Sequence, residues 1–199
     1  FTSNDLRHIN LINKLSKIST DCFAIIEGKT LFPGEVNDFF KKTNLMKKYF
    51  TDVKEAEKKF FSKNRFVNKN VKCKFIRHGD LNYLAKKDIL EALNSDIYIV
   101  FGSSYIKGWL INFLINKKAI NIHMGLSPYY RGSSCNFWAL YDNNPHLVGA
   151  TIHLLTKGLD SGDILYHAMP SPQSNRFTYT MSSVMSSFQS LTQRILDKT

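Results

Sequence analysis

The chain has 199 residues, 43% hydrophobic and 22% charged, ordinary globular proportions that exclude a disordered or low-complexity polypeptide. Lys and Arg number 27 against 16 Asp and Glu, and the formal net charge of +11 favours an anionic partner: a nucleic acid, a phosphorylated small molecule, a polycarboxylate or a membrane surface. No stretch is long and apolar enough for a membrane span, no signal peptide is visible, and the cysteines (Cys22, Cys73, Cys135) form no Cys-x-x-Cys pair, so neither a zinc site nor a disulfide framework is indicated and a cytoplasmic setting is expected.

The length suits one domain over residues 1–199. Because the sequence opens at Phe1-Thr2-Ser3-Asn4 without a methionine, part of a first strand is expected to lie outside it, and a C-terminal extension is left open. Ser3-Asn4-Asp5 supplies capping residues for a helix over Leu6 to Ser19, where Leu6, Ile9, Ile12, Leu15 and Ile18 recur at roughly helical spacing. Cys22 to Ile26 reads as a strand, with Cys22 and Cys73 as small core residues. After the break at Phe32-Pro33-Gly34, Glu35 to Phe66 reads as one long helix or a helical hairpin. It is dense in lysine, with aromatics at Phe39, Phe40, Tyr49, Phe50, Phe60 and Phe61. Such interleaving suits a nucleic-acid surface; the commoner meaning is a solvated face over a core-packing aromatic stripe.

Val71 to Ile76 predicts a strand and Leu84 to Leu93 a helix. Ile97 to Phe101 is the continuous apolar run of a strand buried on both faces. It ends in Gly102-Ser103-Ser104, a turn where backbone can approach a ligand closely. A helix over Tyr105 to Ile115 leads to a strand over Lys118 to His123. Asn136 to Tyr141 predicts a helix, Gly149 to Leu155 and Ile164 to Met169 two strands, and Tyr179 to Leu196 a terminal helix. The alternation predicts an α/β fold: a doubly wound, mostly parallel Rossmann-like sheet with helices on both faces.

Asn121 and His123 are two apart, so in an extended strand their side chains share a face. The strand breaks into Gly125, Pro128 and Gly132 at a sheet edge, where α/β proteins bind ligands. With Asp160, from Lys157 to Leu165, they make a candidate polar triad. Singly, each has an ordinary meaning: a hydrogen-bonded structural histidine, or turn-capping Asn and Asp. His153 suits the core as well as the site. His8, His78, His146 and His167 have no partner pattern and read as surface or structural, and Asp163 as a turn cap. Ser127, Ser133 and Cys135 are conceivable nucleophiles, but none sits in a Gly-x-Ser-x-Gly elbow.

Asn121-Ile122-His123 followed by Leu126-Ser127-Pro128-Tyr129-Tyr130-Arg131-Gly132 is similar to the strand-and-loop signature of the folate-dependent formyltransferases. So is Gly149-Ala150-Thr151-Ile152-His153 followed by Gly158-Leu159-Asp160-Ser161-Gly162-Asp163-Ile164-Leu165. The resemblance holds in order and spacing over Ile97 to His167. That family includes glycinamide ribonucleotide formyltransferase, the catalytic domain of methionyl-tRNA formyltransferase, and enzymes that formylate nucleotide-linked amino sugars. The sequence departs at Leu126-Ser127-Pro128, where Leu-Leu-Pro is usual, and at Met124-Gly125, where the purine enzyme has proline first; both departures bear on the substrate.

The resemblance implies transfer of a formyl group from N10-formyltetrahydrofolate, released as tetrahydrofolate, to a primary amine, with no metal. Asn121 would donate to the oxyanion, His123 carry the proton, and Asp160 orient and stabilise the imidazolium. The pterin is expected between the turn Gly102, Ser103, Ser104, Tyr105, Ile106 and the loop Leu155, Thr156, Lys157, Gly158, Leu159, whose backbone groups suit a flat ring with polar edges. Tyr129, Tyr130 and Arg131 either contact the amine substrate or buttress the loop. Ser3 and Asn4 match a turn that lies near the substrate phosphate in the purine enzyme.

The Asp160-Ser161-Gly162-Asp163 form and the Tyr130-Arg131-Gly132 run resemble the transfer-RNA and sugar enzymes more than the purine enzyme. Tyr166 to Thr199 is shorter than the usual domain minimum of about 50 residues, so the β-barrel domain of the transfer-RNA enzyme is not expected. The expected acceptor is therefore the amino group of a nucleotide-linked amino sugar, an anionic small molecule, with glycinamide ribonucleotide as the alternative. Neither a membrane nor a nucleic acid is the expected partner, and a homodimer is compatible with the sequence. The contrasting class is a non-catalytic folate-binding or nucleic-acid-binding module built on the lysine-rich region, whose nucleic-acid binding would weaken steeply with salt.

Overall fold

A computed structural model of the chain describes residues 1–28, 43–63 and 65–198. Its strands are β1 (Thr2–Ser3), β2 (Cys22–Gly28), β3 (Val71–Arg77), β4 (Ile99–Val100), β5 (Ile120–His123), β6 (Ala150–Leu154) and β7 (Ile164–Ala168). Its helices are α1 (Leu6–Leu15), α2 (Asn44–Phe61), α3 (Gly108–Asn116), α4 (Cys135–Tyr141) and α5 (Arg176–Leu196). β1, β2 and β3 pair in parallel, as do β4 and β5, whereas β6 and β7 turn the end of the sheet antiparallel. A parallel bridge from Thr2 to Phe101, with Phe1 N donating to Ile99 O at 2.9 Å, joins the two halves in the order β3-β2-β1-β4-β5-β6-β7. β1 meets only the carboxyl half of β2, Thr2 lying opposite Ile26 and Ser3 opposite Glu27. Cys22 to Ile25 therefore border a cleft of about 670 Å³ that Tyr98 and Ile99 line from the other side.

Helices cover both faces, as the alternation predicted. On one, Leu11 of α1, Phe61 of α2 and Phe188 and Leu191 of α5 are buried with Phe101, Ile122, Ala150 and Ile152. The Phe101 and Phe188 rings meet edge to face at 5.2 Å. Each of the leucine, isoleucine and phenylalanine side chains stabilises the fold by about 1.5–3 kcal/mol on burial. On the other face Leu110, Ile111 and Leu114 of α3 pack with Ile25, Val100, Leu81 and Ile89.

Several elements differ from the sequence expectation. Ser3 lies in β1 and the N-cap of α1 is Asp5, whose side chain makes no capping bond. α1 stops at Leu15 because Lys17 N and Ile18 N turn back only three residues, to Lys14 O and Leu15 O. Leu84 to Leu93 is two 3-10 turns, Lys86–Ile89 and Ala92–Asn94, not one helix. There Asp88 Oδ2 accepts Ala85 N–H at 2.7 Å and Leu93 O accepts the Tyr98 hydroxyl at 2.7 Å, local bonds that compete with a helical ladder. Asn175 starts α5 three residues early, its side chain accepting from Phe177 N and Thr178 N. Cys73 is exposed because β3 is the edge strand, and Cys22, on β2 beside the cleft, is half-buried; Ile97 is exposed too, so the β4 run is buried only from Tyr98.

Of the long lysine-rich stretch, Phe32 to Gly34, Phe39 and Phe40 lie outside the described residues. The described part is α2, whose Thr43 cap accepts from Met46 N. Lys47, Lys48, Lys58 and Lys59 face solvent while Ala56 and Phe61 enter the core, a solvated face over a packed one.

Candidate active site

β5 and β6 are in register with Asn121 opposite His153 and His123 opposite Thr151. Ile120, Ile122, Ala150 and Ile152 all pack towards α5. Strand alternation therefore turns Asn121, His123, Thr151 and His153 to the opposite face. Past β6 the chain loops back, and Asp160, in a left-handed conformation (φ 45°), brings its carboxylate over them. Its Oδ2 lies 3.2 Å from His123 Nδ1 and accepts Gly132 N–H at 3.0 Å. Its Oδ1 lies 3.4 Å from Asn121 Nδ2 and 3.8 Å from His153 Nε2. The three polar residues singled out in the sequence thus converge, and His153 joins them as a fourth.

Burial alone would raise the Asp160 carboxyl. The imidazoles of His153 and His123 beside it and the amide of Gly132 outweigh it, and the carboxyl is held below its ordinary value. Asp160 is therefore a carboxylate at neutral pH. His153 Nδ1 is 2.8 Å from Leu154 O, a group that only accepts, so this nitrogen carries a hydrogen. In the neutral ring Nε2 then accepts from Asn121 Nδ2 at 2.9 Å, which orients the Asn121 amide with its NH2 towards His153 and Asp160. His123 has an acceptor at each nitrogen: Asp160 at Nδ1 and the Tyr130 carbonyl at Nε2, 2.9 Å away. A neutral ring fills one of these bonds and a doubly protonated ring fills both.

His153 was left undecided by sequence reasoning, and the task of Thr151 was missed. The signal was Thr151 and His153 two apart, the spacing of Asn121 and His123, but the register that pairs the two strands is not local. Thr151 is fully buried; its Oγ1 donates to Gly125 O at 2.6 Å and accepts from Ser127 N at 2.9 Å, tying the loop after β5 to β6. At Gly125 that loop has no room for a side chain, since a Cβ there would lie 2.5 Å from Cys135 Cβ and 2.8 Å from His123 Nε2. Gly125→Ala is expected to destabilise the protein by about 1–3 kcal/mol, read as a lowered Tm; an unchanged Tm would contradict this packing.

The conceivable nucleophiles are unsuited to attack. Burial, reinforced by the Asp160 charge, pushes the Cys135 thiol up to about 11, so it is not a thiolate. Ser127 is buried with its hydroxyl unpartnered among the described residues, and Ser133 is exposed. His8 is structural: buried, bonded to Thr2 Oγ1 at 2.7 Å, and packed against Phe101 beneath Gly102.

The turn after β4 and the loop after β6 meet, the Tyr105 hydroxyl donating to Lys157 O. Gly102, Ser103, Ser104 and Tyr105 lie on this turn, whereas Ile106 is buried in the α3-side core. Leu155 N donates to Ala119 O, Thr156 Oγ1 meets Ser161 Oγ, and Lys157, Gly158 and Leu159 are exposed. Of the residues read as substrate contacts, Tyr129 and Arg131 are exposed. The Tyr130 side chain bonds Asp142 and Asn144, leaving its carbonyl to touch His123. Ser3 is buried and Asn4 exposed just before α1. Beside the loop a cavity of about 310 Å³ is lined by Met124, Tyr49, Phe137, Tyr141, Phe177 and Arg176, among others.

Comparison with known proteins adds a family. Residues 49–198 match the family model described as Formyl transferase. The methionyl-tRNA formyltransferase of Desulforamulus reducens is 36% identical over 76 residues, 38% of this chain and 24% of that protein. The bifunctional polymyxin resistance protein ArnA of Wigglesworthia glossinidia brevipalpis is 32% identical over 114 residues, 57% of this chain and 17% of that protein. The matched stretches thus span under a quarter of the length of these curated relatives. The fold is similar to that of phosphoribosylglycinamide formyltransferase from Anaplasma phagocytophilum, with a TM-score of 0.60 and 14% identity over 97% of this chain and 80% of that one.

Proposed function

The chain belongs to the formyl transferase family, and on that premise we propose that it transfers a formyl group from N10-formyltetrahydrofolate to a primary amine. The observation that carries the reading is the convergence of Asn121, His123, His153 and Asp160 at the carboxyl edge of β5. The surroundings fit the donor. The turn at Gly102 to Tyr105 and the loop at Leu155 to Leu159 face each other, and Tyr105 and Leu159, 53% and 60% exposed, offer apolar surface to a flat ring. When bound there, the folate supplies the formyl carbon.

The residues divide the remaining work. Asn121 Nδ2, its orientation set by His153, donates a hydrogen bond to the formyl oxygen as negative charge grows on it. Asp160 holds a proton on His123 Nδ1, which leaves Nε2 as the base, and offsets the positive charge of the ring once Nε2 is protonated. An amine that displaces the Tyr130 carbonyl meets Nε2 directly.

For the acceptor we place a nucleotide-linked amino sugar first. Its anionic diphosphate suits a chain of net charge +11, and the aromatic cavity beside Met124, with Arg176 on its wall, suits a planar base with an adjoining anion. A second reading, a methionyl-tRNA acceptor, rests on the 36% identity to the Desulforamulus reducens enzyme. The test is release of tetrahydrofolate from N10-formyltetrahydrofolate with amino-sugar nucleotides, glycinamide ribonucleotide and methionyl-tRNA offered in turn. Turnover with an amino-sugar nucleotide is expected. Turnover only with one of the others transfers the acceptor to that class, and no turnover with any, together with no folate binding, overturns the reading.

A further inference from the structure

Glu27 is a carboxylate at the end of β2, only 1% exposed, to which the chemistry above gives no task. Its Oε1 accepts from Gly79 N at 2.9 Å and from Ser104 Oγ at 2.7 Å, and its Oε2 accepts from Ser104 N at 2.6 Å. Gly79 follows β3 and Ser104 follows β4, so one carboxylate ties together the exits of three parallel strands at the ligand-binding edge of the sheet. A second side chain holds the same turn from outside. Asn82 Nδ2 donates to Tyr105 O at 2.8 Å, and Asn82 Oδ1 accepts Lys107 N–H at 2.6 Å. Neither residue reaches Asn121, His123 or Asp160 in any hydrogen bond among the described residues, and both act on the turn assigned to the folate.

We propose that Glu27 and Asn82 are positioning residues for the formyl donor, holding the turn from Ser104 to Lys107 in the shape that receives the folate ring. This rests on the donor assignment above. A carboxylate is required at Glu27 by hydrogen-bond count: both oxygens face backbone N–H groups that cannot be turned away. In Glu27→Gln one oxygen becomes an NH2. Placed at the Oε1 position it confronts Gly79 N–H, and placed at the Oε2 position it confronts Ser104 N–H. Either orientation sets donor against donor in a buried site, and the turn must shift.

Three proteins decide the matter: wild type, Glu27→Gln and Asn82→Ala, each measured for tetrahydrofolate binding by calorimetry and for kcat and both KM values in the formyl-transfer assay. In Glu27→Gln the tetrahydrofolate Kd and the donor KM are expected to rise about tenfold, with kcat at saturating donor within about twofold and the acceptor KM unmoved. Asn82→Ala, whose bonds are more exposed, is expected to shift the same two constants about threefold in the same direction. A folded variant with the donor constants unchanged overturns the proposal, and so does a fall in kcat without a rise in donor KM, the mark of a merely structural role. Asn82→Ala decides the outcome if Glu27→Gln does not fold. Wild type that fails to bind tetrahydrofolate overturns the donor assignment and this inference with it, and shows itself before any variant is made.

Discussion

His123→Ala is expected to lower kcat by a factor of about 100 to 10,000, the span of general acid–base catalysis, with circular dichroism like that of wild type. The ring sits with a carboxylate behind one nitrogen, Asp160 at 3.2 Å, while the other nitrogen looks towards the loop an acceptor must pass. Alanine removes the proton carrier and leaves Asn121, His153 and the folate turn in place. A side chain that only anchored the Tyr130 carbonyl would, on removal, lower Tm and leave kcat near wild type at saturating substrate. Retention of more than about a tenth of wild-type kcat, set against that same range, would remove His123 from proton transfer.

Asp160→Asn is expected to reduce kcat about a hundredfold or more and to change how stability responds to acid. The carboxylate accepts from Gly132 N and Asn121 Nδ2 while facing His123 Nδ1. An amide of the same shape must turn its NH2 towards at least one of these donors. The folded-state pKa of Asp160 is depressed, so its ionised form stabilises the fold fully above the unfolded carboxylate value of about 4. That contribution is lost as pH falls further, through the lower folded value. The difference in Tm between wild type and Asp160→Asn should therefore be greatest near neutrality and narrow below about pH 4. Thermal unfolding at stepped pH reads this directly; a gap that widened towards acid would contradict the ionised assignment.

The element pattern was legible wherever one face of a strand or helix is apolar. The β5 run alternates Ile120, Asn121, Ile122 and His123, and the two isoleucines enter the α5-side core as that alternation requires. The Leu84 to Leu93 stretch was misread because its leucines match a helical period, while Asp88 and Tyr98 satisfy its backbone by other bonds. Cys73 was misread because a β-prone run says nothing of whether its strand is central or at the edge.

What the sequence by itself determined is the local side of the site: Asn121 and His123 on one face of a strand, and a turn-forming segment carrying Asp160. Local periodicity suffices for this, because which face a side chain takes depends only on its own few residues. What the tertiary structure decided is the company these residues keep. The antiparallel pairing of β6 brings His153 against Asn121 and Thr151 under the loop, and the parallel exits of β2, β3 and β4 converge on Glu27. Such pairings join residues far apart in the chain, and their register follows from the packing of the whole sheet against its helices.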